Sequence, residues 1–292
     1  MNFLKIFGML TMLADHVGFL FDIQVLRYVG RACFPVFAFM TAYGWAKSKN
    51  RTEYLRRMME LAICSELPFL WMYQLSGDVS VSQANSQFAL ICSGISLCLL
   101  LWAAFLIKRS RPVRLQNGSI WADACLAGLY FLLPVLIPHT NVLYTLTTAL
   151  LIFQVFGSAL NIMVKVIAGS GLILGYGIFC DYSIFGLALI IGIYYTMPAC
   201  KALVFGTQIR KLAAVIFNYI PYVFMLLWVA VMTIFYQDIA ELVGMCVGVA
   251  VVFGYMELSK QKPAAPVVRK LNYYFYPVHL LVLDITAFLI LR

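Results

Sequence analysis

Two neighbouring runs decide how this chain is read: MLTMLADHVGFL (residues 9–20) and VLRYVGRACFP (residues 25–35), parted by a short polar break at Asp22, Ile23 and Gln24. Both are apolar enough for hydrocarbon, yet the first holds Asp15 and His16 and the second holds Arg27 and Arg31. A charge inside a bilayer costs roughly 2.5–3.5 kcal/mol on insertion scales, and such residues generally pair with one another or mark a functional path. The rest of the chain tells whether these runs lie in a membrane and which way they face.

Of 292 residues, 63% are hydrophobic and 11% charged, with a mean hydropathy of +0.91. A soluble domain is about one-quarter charged, so the composition predicts an all-α, polytopic integral-membrane bundle. At about 20 residues per span, the length holds ten or eleven helices and leaves no room for a separate soluble domain, so residues 1–292 form a single transmembrane domain. The net charge of +9 belongs to basic loops at a membrane surface and does not indicate nucleic acid. None of the eight cysteines forms a C-x-x-C, and His16, His139 and His279 are far apart in sequence. That pattern predicts neither a disulfide framework nor a bound metal. Lys5 and the apolar run after it look like a signal sequence, but Asp15 and His16 interrupt the run and no small-residue cleavage site follows. An uncleaved first helix is predicted.

Apolar runs predict helices at 3–21, 25–46, 53–75, 86–107, 121–138, 141–157, 160–180, 183–200, 212–236, 238–257 and 271–291. Basic residues cluster after the second, fourth, eighth and tenth: Lys47, Lys49, Arg51, Arg56 and Arg57; Lys108, Arg109, Arg111 and Arg114; Lys201, Arg210 and Lys211; Lys260, Lys262, Arg269 and Lys270. The alternate loops are nearly free of Lys and Arg. This alternation puts the amino terminus in the cytoplasm and, with eleven spans, the carboxyl terminus outside, as expected for a multi-pass protein of the cytoplasmic membrane.

In that orientation His16 lies roughly 8 Å below the outer end of the first helix and Arg31 roughly 9 Å below that of the second, at 1.5 Å per residue. Asp15, His16 and Arg31 therefore share a level. Arg27 and Arg31 are four residues apart and share a face. Asp15 and His16 point about 100° apart, so they are poor partners for each other. Asp15 braced by Arg31, with His16 turned to a cavity, is the expected unit. Glu66 sits deep in the third helix beside Pro68, as a site residue or a partner for the arginines. Arg56 and Arg57, with Glu53 and Glu60, read as an ion-pair face near the cytoplasmic end. His139, Asn141 and Tyr144 lie near one outer turn, Asp181 and Tyr182 near another. His279 is deeper in the last helix than an interfacial belt of aromatics explains, and could face the interior from below His16.

Five blocks together resemble a known family: LKIFGMLTMLADHVGFL (4–20), LRYVGRACFPVFAFMTAYGWAKSKNRTEYLRRMMELAICSELPF (26–69), NVLYTL (141–146), DYSIFG (181–186) and FYPVHLLVL (275–283). The chain resembles the TraX family of conjugative-pilin acetyltransferases, itself distantly similar to membrane acyltransferases that modify surface glycans. The resemblance implies an integral-membrane acetyltransferase that takes acetyl from acetyl-CoA. Its acceptor would be an amine or hydroxyl on a peptide, protein or glycan, a pilin amino terminus in the founding case. The family's charged pattern falls on Asp15, His16, Arg31, Arg56, Glu66, Asn141 and His279. In the expected mechanism His16 is the general base, with Asp15 and Arg31 in the catalytic group. Glu66, Asn141, Tyr144, His279 and Arg27 would meet the substrate. Arg56 and Arg57, with Arg109 and Arg111, would hold the CoA phosphates. Two other classes stay open: a proton-coupled transporter using the same charges as a relay, and a structural assembly factor.

Overall fold

The computed structural model describes residues 1–76, 119–136, 140–177, 182–197, 211–236, 239–258 and 265–290. The expected helix at 86–107, the basic positions Lys108, Arg109, Arg111 and Arg114, and His139 and Asp181 lie outside the described residues. The regular elements among the described residues are helices, and the protein is an all-α helical membrane protein. In chain order they are α1 (Asn2–Leu20), α2 (Gln24–Gly30), α3 (Cys33–Lys47), α4 (Arg51–Leu75), α5 (Ser119–Leu136), α6 (Val142–Phe156), α7 (Ile162–Leu172, continued by a π-helical turn at Ile173–Gly177), α8 (Ser183–Thr196), α9 (Lys211–Tyr236), α10 (Ile239–Leu258) and α11 (Pro266–Ile290). Four stretches among the described residues are long and apolar enough to cross a membrane: Asn2–Leu20, Gln24–Lys47, Ile239–Leu258 and Pro266–Ile290. The chain divides into two compact units, one of Met1–Lys47, Pro68–Gly77 and Ala188–Arg292, the other of Ser48–Leu67 and Asp78–Leu187.

In the first unit, α1 and α2 form a tight hairpin. Asp22 takes the left-handed conformation at φ 53°, which a short polar side chain tolerates. The Ile23 N–H then donates to the Gly18 carbonyl at 2.9 Å. A Cβ on Gly18 would press on the Arg27 nitrogen and the Ile23 oxygen, and one on Gly30 would overlap Asp15. These two glycines let α2 close onto α1 beside the Asp15–His16 step.

The run at 25–46 is not one continuous helix, as the sequence suggested, but two, interrupted at Arg31 and Ala32. Pro35 is the cause: it has no N–H to donate to the Arg31 carbonyl, and its ring crowds that position. The chain therefore restarts as α3 with Pro35 in the first turn, where an N–H is unpaired anyway. Helix α10 seats against this break. A Cβ on Gly244 would collide with the Tyr28 carbonyl and one on Gly248 with the Ala32 carbonyl, so the Gly-x-x-x-Gly pair admits the neighbouring backbone. Helix α11 also starts earlier than the run at 271–291 predicted. Pro266 opens it, a favoured first-turn position, and the Ala265 N–H just before it donates to Asn2 Oδ1 at 2.7 Å.

In the second unit, α6 carries an unusual share of polar interior. Asn141, Tyr144, Thr145, Thr147 and Thr148 are all buried. Tyr144 stacks on Tyr130 of α5 at 4.7 Å between ring centroids, and the Tyr130 hydroxyl bonds Thr148 Oγ1 at 3.0 Å.

Candidate active site

Helices α1 and α11 run side by side in parallel register. Asn2 meets Ala265 at one end and His16 meets His279 at the other, and both pairs are 263 residues apart in sequence. His16 Nδ1 lies 2.7 Å from His279 Nε2, with the rings stacked at 4.9 Å and 20°. His279 Nδ1 lies 2.7 Å from the carbonyl of Phe275, one turn earlier. Phe275 stacks on His279 at 4.5 Å, and the Tyr276 ring sets its edge against both imidazoles. Both histidines are buried, at 8% and 6% exposure.

This chain of contacts fixes the tautomers of a neutral pair. The Phe275 carbonyl can only accept, so His279 carries its proton on Nδ1 and offers a lone pair at Nε2. His16 must then donate from Nδ1, which leaves the lone pair of His16 on Nε2. Among the described residues the one hydrogen bond of the His16 ring is through Nδ1, so Nε2 is the atom able to take a proton. His279, expected below His16, is instead level with it and bonded to it.

The arginines are arranged differently from the expected brace. Asp15 pairs with Arg27, Nη1 to Oδ2 at 3.3 Å, and not with Arg31. Arg31 pairs with Glu241 of α10, Nη2 to Oε1 at 2.7 Å. The packing glycines explain the exchange: Gly30 against Asp15 turns one edge of the arginine face of α2 to α1, while Gly244 against Tyr28 and Arg31 turns its other edge to α10. Arg27 also covers the Phe19 ring at 5.1 Å. Asp15 and His16 diverge as adjacency on a helix requires, Asp15 to α2 and His16 to α11.

Glu66 and Asn141 belong to the second unit and bind each other. Asn141 donates to Glu66 Oε2 through Nδ2 at 2.6 Å and through its backbone N–H at 3.3 Å, and Nδ2 also donates to the Ala62 carbonyl at 3.0 Å. Asn141 is at the same time the N-cap of α6, accepting from Leu143 N–H. Glu66 Oε1 is buried without a hydrogen-bond partner among the described residues. Tyr144 sits one turn beyond Asn141 in the aromatic stack. Arg56 and Arg57 are exposed and engage Glu60 at 3.1 Å and Glu53 at 3.7 Å, the ion-pair face their spacing suggests.

Two acids escaped the sequence reading. Glu241 neutralises Arg31, and Asp284 of α11 is fully buried with both carboxylate oxygens unpaired among the described residues. An acid within VHLLVLDITAF (residues 278–288) was the available signal. Among the described residues, no three His, Cys, Asp or Glu side chains are grouped to hold a metal ion.

Residues 1–109 match the TraX protein family. Over 135 residues the chain is 28% identical to the probable fimbrial assembly protein FimC, serogroup H1, of Dichelobacter nodosus, a match covering 44% of this chain and 54% of that protein. The chain thus spans about half the length of this curated relative. No solved structure matches it. The histidine, arginine and aspartate of the α1–α2 hairpin all lie within the matched segment, and the amino-terminal third of this chain carries the pattern of the TraX family.

Proposed function

We propose that the protein is an integral-membrane acetyltransferase of the cytoplasmic membrane, passing acetyl from cytoplasmic acetyl-CoA to an amine, the amino terminus of a pilus-type subunit or another peptide. The observation that carries the reading is the lone pair on His16 Nε2, set by the bond from His16 Nδ1 to His279. The TraX match and a relative named for fimbrial assembly support the pilus-type acceptor. A hydroxyl on a surface glycan is the acceptor this reading displaces.

The neutral acceptor nitrogen attacks the thioester carbonyl, and a tetrahedral oxyanion forms. Collapse forms the C–N bond and breaks the C–S bond. His16 Nε2 takes the proton the nitrogen sheds and gives it to the departing thiolate, so CoA leaves as the thiol. When Nε2 is protonated, the His16 Nδ1–H bond to His279 strengthens and spreads the charge. His279 is thus a positioning residue, comparable to the group that orients the base in a hydrolase triad. The Asp15–Arg27 and Arg31–Glu241 pairs neutralise the charges of α2 and hold it in place beside α1.

The test is release of CoA thiol and acetylation of a peptide amino terminus by purified protein. His16→Ala should lower kcat by about 10²–10⁴-fold, the usual worth of a general base. Unchanged turnover in that variant would sink the assignment.

A proton-coupled transporter is the second reading, favoured by buried carboxylate oxygens, Glu66 Oε1 and both of Asp284, that have no hydrogen-bond partner among the described residues, since intramembrane acids mark proton relays. Proton-driven uptake by proteoliposomes, with no acetyl transfer, would select it.

A further inference from the structure

We propose that the acyl donor enters along the seam between α1 and α11, with its phosphates on Lys5 and Arg269 and its pantetheine arm running past Asn272 to the histidine pair. This rests on the acetyl-transfer reading above and says where the donor binds.

The seam has a polar stripe on α11 and, on α1, a methionine-lined stripe with a polar residue at each end. On α11, Arg269, Asn272, Tyr276 and His279 follow one another at spacings of three, four and three, and so share one face. On α1, Lys5, Met9, Met12 and His16 do the same. The parallel register fixed at Asn2–Ala265 and His16–His279 brings the two stripes together along their whole length. Lys5, three residues after Asn2, consequently falls level with Arg269, four residues after Ala265, at the start of α11. Two cations facing each other are unfavourable unless an anion comes between them. Among the described residues no carboxylate pairs with either, while Arg27, Arg31, Arg56 and Arg57 all have acidic partners. This cation pair is built for a ligand with phosphates.

One turn above Arg269, Asn272 presents a buried Oδ1 without a hydrogen-bond partner among the described residues. A buried amide oxygen left unpaired costs free energy, which a donor N–H on a ligand recovers. The pantetheine arm carries two amide N–H groups. The distances agree as well. From Lys5 to His16 is a rise of about 16 Å and from Arg269 to His279 about 15 Å, at 1.5 Å per residue. An extended phosphopantetheine is about half as long as the ~30 Å hydrocarbon core is thick. A donor with its phosphates at the basic end therefore sets its thioester at the imidazoles. Arg56 and Arg57, expected from sequence to hold the phosphates, have Glu60 and Glu53 for that charge.

The experiment compares acetyl-CoA with acetyl-pantetheine, which has the arm and the thioester but no phosphate. In Lys5→Gln and Arg269→Gln proteins, KM for acetyl-CoA should rise about tenfold or more with kcat retained, while KM for acetyl-pantetheine stays at the wild-type value. Asn272→Leu should raise KM for both donors, because both carry the amides. CoA binding by calorimetry, in the same variants, gives a readout independent of turnover. If Arg56→Gln and Arg57→Gln weaken acetyl-CoA and the Lys5 and Arg269 variants do not, the proposal is overturned. Equal KM for the two donors in the wild type also overturns it, and leaves acetyl transfer standing. CoA binding weakened by Lys5→Gln in a protein that transfers no acetyl group would keep this site and remove the acetyltransferase reading.

Discussion

A histidine in a membrane is useful as a base only if one particular nitrogen is bare. In this protein that choice is made by the Phe275 carbonyl, acting through His279 on His16. His279→Ala should therefore leave His16 in place but free to sit in either tautomer, lowering kcat by about 10²-fold. His279→Gln should restore part of the loss, since its amide oxygen can accept from His16 Nδ1; measuring kcat and KM for all three proteins checks the order. The arginine pairs act differently. Arg31 and Glu241 are mostly enclosed, at 11% and 15% side-chain exposure. Removing one partner strands the other, at about 3–5 kcal/mol, whereas removing both costs less than the sum. Thermal unfolding of Arg31→Ala, Glu241→Ala and the double variant tests this: additive losses would mean the pair has no energetic coupling.

At the scale of elements, the hairpin, the break and the seat of α10 are all set by small residues and prolines. Gly244 and Gly248 hold α10 against the carbonyls of Tyr28 and Ala32, where even one added methyl group must push the helices apart. Gly248→Leu should destabilise the protein by about 1–3 kcal/mol or more, the usual cost of overpacking, read as a lowered Tm in detergent. The same elements show what a sequence can and cannot convey. Helix positions were legible because apolar runs of near-bilayer length leave few alternatives, and the observed ends of α1, α4 and α10 fall close to those expected. The break at Arg31 was readable from Pro35 in principle, but the hydropathy of 25–46 runs through it unchanged. Partner choice was not legible. Arg27 and Arg31 look equivalent in sequence, and only the glycines that bring α1 and α10 to different sides of α2 separate them. Asn141 was singled out for substrate, and it is occupied by Glu66 and by the cap of α6.

For the whole molecule, the decisive pairing joins residues 16 and 279, at opposite ends of the chain. Each histidine stood out alone as a polar residue too deep for its helix, yet no local pattern could show that they touch. What linked them is orientation: both helices must run the same way across the membrane for Asn2 to meet Ala265 and His16 to meet His279. The loop charges independently predict this, since the positive-inside bias assigns the start of the first run and the segment before the last one, with Lys260, Lys262, Arg269 and Lys270, to the same, cytoplasmic side. Two arguments from different physics, charge bias in loops and hydrogen-bond register in the seam, thus agree on one topology. It predicts that a reporter active only in the cytoplasm will work when fused after Lys262, and that a reporter active only outside will work when fused after Arg292. A cytoplasmic signal from both fusions would turn α11 back to the inner side. The parallel seam would then be lost, and with it the geometry that leaves the lone pair on His16 Nε2.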